Sequence, residues 1–213
     1  MNKNGNYQTF LGCDKTYDNS GTVIFGAPFD STTSYRPGTR FASRTMRSES
    51  YGFETYSPYQ NRDLADLAVY DAGDIELPFG DTAKALEMIE EYTSEIIMDG
   101  KIPVMIGGEH LVSLGSVRSL IKKYPDLHIV HFDAHADLRD DYLGQKLSHA
   151  TVMRRIWDLT GDGRLYQFGI RSGDRDEFDF GSKHTFMRKF DFEGLGEVVE
   201  KLKGKAVYFS IDL

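Results

Sequence analysis

An α/β domain with a mostly parallel sheet is the fold class that three observations on the sequence predict. Short apolar runs recur along the chain, segments of helical period stand between them, and the order strand, helix, strand, helix holds throughout. The runs are residues 22–26, 68–71, 102–106, 127–132, 164–169 and 206–211, each of a length and composition that suits a buried strand. Between the second and third, Asp81 supplies an N-cap. Residues 82–98 then carry Ala85, Leu86, Ile89, Tyr92, Ile96 and Ile97 near helical spacing, and Gly100 marks the stop. Further helical patterns cover about residues 111–123, 149–158 and 192–202. No repeat, low-complexity tract or Pro- or Ser-rich linker marks a boundary, so residues 1–213 read as one domain. Two features interrupt the alternation. Residues 51–62 mix aromatics with Gly, Ser and Pro and read as a loop that either covers something or packs against a partner or, as the favoured reading, has rings that close a core edge. Residues 205–213 form a strand with nothing after it, which reads as an incomplete chain.

Composition narrows the function. A net charge of −8, from 25 basic and 33 acidic side chains, argues against a nucleic-acid partner. The single cysteine, Cys13, permits no intrachain disulfide and no Cys-type zinc site, and it fits a reducing cytoplasm. The longest apolar stretches, residues 23–29 and 102–107, fall far short of the ~20 residues that span a bilayer, so no membrane helix is expected. Residues 1–7 lack the apolar region of a signal peptide, and the predicted location is cytoplasmic.

Sites in α/β sheets form beyond the carboxyl ends of strands, so the polar residues after each apolar run are the candidates. They are Asp30 in Gly26-Ala27-Pro28-Phe29-Asp30, Glu109 and His110 in Gly107-Gly108-Glu109-His110, the set Asp133-Ala134-His135-Ala136-Asp137, and Asp212. In extended backbone Asp133, His135 and Asp137 would share a face. Carboxylates and imidazoles packed that closely conflict electrostatically unless a divalent cation joins them. His131 has the parity of Asp133 but lies one step further into the sheet and reads, like His128 and His184, as a structural residue. Glu109 either orients His110 or caps the next helix.

These segments, with Ser148-His149-Ala150, Ser210-Ile211-Asp212 and residues 34–41, occur in the order found in the ureohydrolases, and the sequence resembles that arginase and agmatinase family from about residue 20 onward, closest to the agmatinase pattern. The resemblance implies a three-layer α/β/α, arginase-like fold. It also implies two Mn²⁺ ions per subunit in the full-length parent enzyme, with His110 and Asp137 on one, His135 on the other, and Asp133 and Asp212 bridging. In the family a hydroxide shared by the two ions attacks the guanidinium carbon, and His149 matches a proton-shuttling histidine. The resemblance further suggests a homo-oligomer, a trimer or hexamer.

The family pattern continues beyond Ser-Ile-Asp with a further carboxylate, whereas this chain stops at Leu213. The expectation is a longer parent enzyme, with the last strand and helices of the fold missing here. Arginase-type members clamp the substrate carboxylate with residues that this sequence lacks: Leu138-Arg139-Asp140-Asp141-Tyr142 follows the metal-binding segment, and Ser172 follows Gly169-Ile170-Arg171. Agmatine is therefore the favoured substrate, with Arg139, Asp140 and Ser172 as candidate contacts. Asp140, Asp141, Asp174, Asp176 and Glu177 could form a negative mouth for a dication. Hydrolysis of another guanidino compound, a guanidino acid or arginine, is the alternative within the same chemistry. A catalytically silent binding or regulatory relative is the alternative outside it.

Overall fold

The computed structural model describes residues 8–213, so the expectation for residues 1–7 lies outside the described residues. The chain forms two compact units, divided after Val112. All six predicted strands are present, and among the described residues every strand pair except one short hairpin is parallel. No helix among the described residues is long and apolar enough to cross a membrane.

The first unit runs β1 (Thr22–Ala27), α1 (Ala42–Ser50), the hairpin strands β2 (Tyr56–Ser57) and β3 (Arg62–Asp63), β4 (Val69–Asp74), α2 (Thr82–Met98) and β5 (Ile102–Gly107). β1 lies between β4 and β5. Val23 and Phe25 from β1, Tyr70 from β4 and Ile96 from α2 make its core with Tyr17. α2 carries the predicted signals at both ends. The Asp81 carboxylate accepts from the Lys84 N–H at 2.9 Å. Gly100, at φ 74°, lets the Gly100 and Lys101 amides turn back to the Ile97 and Ile96 carbonyls, closing the helix in a Schellman motif.

Helix α1 escaped the periodicity argument because the residues it buries are Ser43 and Arg47, four apart and both polar. Arg47 is 3% exposed; its Nε lies 2.8 Å from Asp71 Oδ2 and its Nη1 2.5 Å from Asp74 Oδ1. Asp71, fully buried, also accepts from the Phe10 and Gly73 amides, each at 2.9 Å. Arg47→Met should therefore destabilise the protein by about 3–5 kcal/mol, because it strands a buried carboxylate. Chemical denaturation checks this, and adding Asp71→Asn should recover part of the loss. The aromatic segment 51–62 corrects an expectation. Tyr51, Phe53, Tyr56 and Tyr59 are 57, 73, 49 and 100% exposed, so these rings close no core edge. The backbone here makes its own β2–β3 hairpin instead.

The second unit continues with α3 (Val112–Lys123), whose first residue belongs to the first unit, then β6 (His128–Phe132), α4 (Val152–Thr160), β7 (Leu165–Ile170), α5 (Arg175–His184), β8 (Phe186–Lys189), α6 (Leu195–Leu202) and β9 (Val207–Ile211). Its sheet has the order β8-β7-β6-β9. Every residue of β7 is buried, and Val130, Tyr166, Phe168, Val198 and Leu202 form the core. Helix α5, like α1, buries no apolar stripe but Glu177 and Gly181. Its start is nonetheless written in Asp174 and Glu177, which form a reciprocal capping box. β8 is a four-residue edge strand with no fully buried side chain, too short and exposed to stand out as an apolar run.

Candidate metal centre

In the first unit the loop after β1 and the turn after β5 are built around close backbone contact. Gly108 donates to the Ala27 carbonyl at 2.9 Å and Glu109 to that of Phe29 at 2.7 Å. A Cβ on Gly108 would sit 1.9 Å from the Phe29 carbonyl oxygen, so only glycine fits. The buried Glu109 carboxylate accepts from the backbone N–H of Thr32 at 2.8 Å and from its hydroxyl, which ties the two loops together. Asp30 does the same for residues 30–40 through the Gly38 amide, at 2.7 Å, and the Arg40 guanidinium. Burial would raise the Asp30 carboxyl, but these N–H donors outweigh it and hold the group below its ordinary value. His110 follows in the turn between β5 and α3, half-buried.

In the second unit β6 ends at Phe132, and the candidate ligands sit on the loop beyond it. Asp133 is buried. Its Oδ1 accepts from the His135 amide at 2.7 Å, and its Oδ2 lies 2.9 Å from His131 Nε2. Asp137 is also buried and takes a left-handed backbone, φ 53°. For a non-glycine residue that conformation costs about 1–2 kcal/mol. It is held because the Met153 and Arg154 amides, at the start of α4, both donate to the Asp137 carbonyl at 3.0 and 3.1 Å. The left-handed residue breaks the extended alternation from which a shared face for Asp133, His135 and Asp137 was expected. Asp133 and Asp137 instead converge with Asp212, which follows β9, each offering a carboxylate oxygen within 4.8 Å of the others. The His135 ring is 62% exposed and touches Asp133 Oδ1 at 3.2 Å.

Three carboxylates so placed fit a divalent cation. Unit charges 4 Å apart repel by about 4 kcal/mol at an effective dielectric of 20, and hard oxygen donors suit ions such as Mg²⁺, Ca²⁺ and Mn²⁺. His149 begins a 3₁₀ turn capped by Ser148 and Thr151. Its Nδ1 is 3.3 Å from Ser148 Oγ, and its ring meets that of Tyr142 edge-on at 5.6 Å. The candidate substrate contacts are largely engaged within the protein. Arg139 reaches Asp174 at 3.2 Å and Glu177 at 3.3 Å. Asp140 pairs with Arg155 at 2.8 Å, which holds its carboxyl below the ordinary value. Asp141 accepts from the Gly144 amide, at 3.0 Å. Burial raises the Glu177 carboxyl, against the amides of Asp174 and Leu138 that donate to it. The exposed Ser172 uses its backbone to pair with Ala134 and Ala136. Asp176 stands exposed in the first turn of α5, and of the five carboxylates expected to form a negative mouth, Asp140, Asp174 and Glu177 are paired with Arg139 and Arg155.

Two residues near the centre were not singled out by sequence as functional, His131 and Gln167, both fully buried. The signal for His131 was present in its parity with Asp133. Gln167 had none, being one polar residue inside the apolar run of β7.

Comparison with known proteins places this geometry. The chain is 48% identical to an agmatinase of Bacillus subtilis (strain 168) over 208 residues, 97% of this chain and 72% of that protein. It is 47% identical to an agmatinase of Bacillus anthracis over 209 residues, again 97% and 72%. The solved agmatine ureohydrolase of Thermoplasma volcanium superposes with a TM-score of 0.86 at 37% identity, covering 97% of this chain and 71% of that one. The fold is thus the arginase-like α/β fold, whose members are metal-dependent amidinohydrolases. With the arginase family model matching residues 20–213, the chain belongs to the arginase family.

Proposed function

We propose that this protein hydrolyses the guanidinium group of agmatine to urea and putrescine at a pair of Mn²⁺ ions. The observation that carries the reading is the convergence of Asp133, Asp137 and Asp212 beyond the ends of β6 and β9, in a chain of this family. Asp133 and Asp212 would bridge the ions, Asp137 would hold one and His135 the other, and the family pattern adds His110 beside Asp137. When bound, such ions supply hydroxide near neutral pH, which a resonance-stabilised, cationic guanidinium requires of its nucleophile. The protein's own part is to fix Asp133 through His131 and the His135 amide, and Asp137 through the start of α4. His149 delivers a proton to the departing amine. A single domain over residues 1–213, a homo-oligomer and a cytoplasmic location belong to the same proposal.

The substrate preference follows from what lies after Asp137. Arg139, the cation of that segment, is paired with Glu177 and Asp174 and is not set out to receive an α-carboxylate. With the Mn²⁺-loaded protein, kcat/KM for urea release from agmatine should exceed that from arginine by at least about tenfold, an unpaired carboxylate costing more than 1.4 kcal/mol. A panel of agmatine, arginine and a guanidino acid with urea detection checks it. Equal values for agmatine and arginine would overturn the preference, and a guanidino acid cleaved fastest would move the assignment to that class.

A further inference from the structure

β6 and β7 set His131 and Gln167 side by side in parallel register, each fully buried. The Ala136 carbonyl can only accept, so the Gln167 atom 2.8 Å from it is the amide nitrogen. That nitrogen also lies 3.2 Å from His131 Nδ1 and offers it the second amide hydrogen. An Nδ1 that receives a hydrogen bond carries no proton of its own. The ring proton is then on Nε2, which faces Asp133 Oδ2 at 2.9 Å. Gln167 is itself held from the far side, its Oε1 3.2 Å from the hydroxyl of Thr185.

We propose that Gln167 is a positioning residue for the metal centre: it holds His131 with the ring proton on Nε2, so that the ring donates to the Asp133 carboxylate and orients it. A ring with its proton on Nδ1 would instead turn a lone pair toward Asp133 and push it away. A buried amide with one hydrogen spent on Ala136 and one on Nδ1 excludes that arrangement. The inference rests on the metal-centre reading, and the test keeps the two apart.

Long-range ¹H–¹⁵N spectra of the metal-free, ¹⁵N-histidine-labelled protein at one fixed pH read the ring directly, with His131 identified by the resonance missing from His131→Gln. The wild type should show His131 with a proton on Nε2 alone. Gln167→Met, which keeps the bulk and removes the donor, should lose that single form and weaken Mn²⁺ binding in calorimetry by about 10–100-fold, the usual effect of deleting a group that orients a ligand. A His131 proton on Nδ1 in the wild type overturns the proposal. So does a folded Gln167→Met with unchanged ring signals and unchanged affinity. Should Gln167→Met not fold, Gln167→Leu takes its place, since it removes the same donor and should show the same loss of the single form and the same weakening of Mn²⁺ binding. A wild type that binds no Mn²⁺ yet shows the Nε2–H ring would count against the centre while supporting the lock.

Discussion

Replacing Asp133 by Asn should cut urea release by at least about 10³-fold, the equivalent of several kcal/mol of lost metal-dependent stabilisation. Both oxygens of Asp133 face donors, the His135 amide at 2.7 Å and His131 Nε2 at 2.9 Å. An asparagine has one oxygen to offer, so whichever way it turns its NH₂ group meets an N–H. That mismatch costs about 1–3 kcal/mol, and the site loses the anion on which both cations would depend. Thermal unfolding separates the two effects. Mn²⁺ at a hundred times its dissociation constant stabilises a protein that binds it only when folded by about 2.7 kcal/mol. The wild type should show that gain, and Asp133→Asn should be nearly indifferent to the metal. A variant that keeps both the Mn²⁺ shift and turnover would remove Asp133 from the centre.

The contrast between Asp133 and Asp137 shows how far the sequence could be read. That both lie just beyond a buried strand follows from the apolar run ending at Phe132, and so does the choice of the segment as a site. How they converge does not follow. It depends on a left-handed backbone at Asp137, which is sustained by amides of a helix that starts fifteen residues later in the chain. Long-range hydrogen bonds of that kind leave no local pattern. Secondary structure divides along the same line. α2, which buries an apolar stripe between Asp81 and Gly100, was legible to the residue. α1 and α5, which bury Ser43, Arg47 and Glu177 instead, were invisible to hydrophobic periodicity. Those polar helices brace neighbouring segments of their own units: Arg47 secures Asp71 and Asp74 of β4, and Glu177 accepts from the Leu138 amide directly after Asp137.

Changing His149 to Asn should lower kcat by about 10²–10⁴-fold, the usual worth of a positioned general acid, with Mn²⁺ content unchanged. The residue lies in none of the clusters of converging ligand atoms among the described residues. Its backbone conformation does not depend on its own side chain, because the turn it begins is secured by Ser148 and Thr151, each bonding to the other's end of the turn. Asn therefore fits the same place and retains a polar group beside Ser148 Oγ, but it has no proton to exchange near neutral pH. The edge-on ring of Tyr142 would lose its partner, a packing change felt in stability rather than in turnover. Added imidazole should restore part of the activity of His149→Asn, as expected when the missing function is a proton and not a ligand or a shape. Metal analysis of the purified variant completes the test: loss of an ion would make His149 a ligand, and full activity without imidazole would take it out of the reaction.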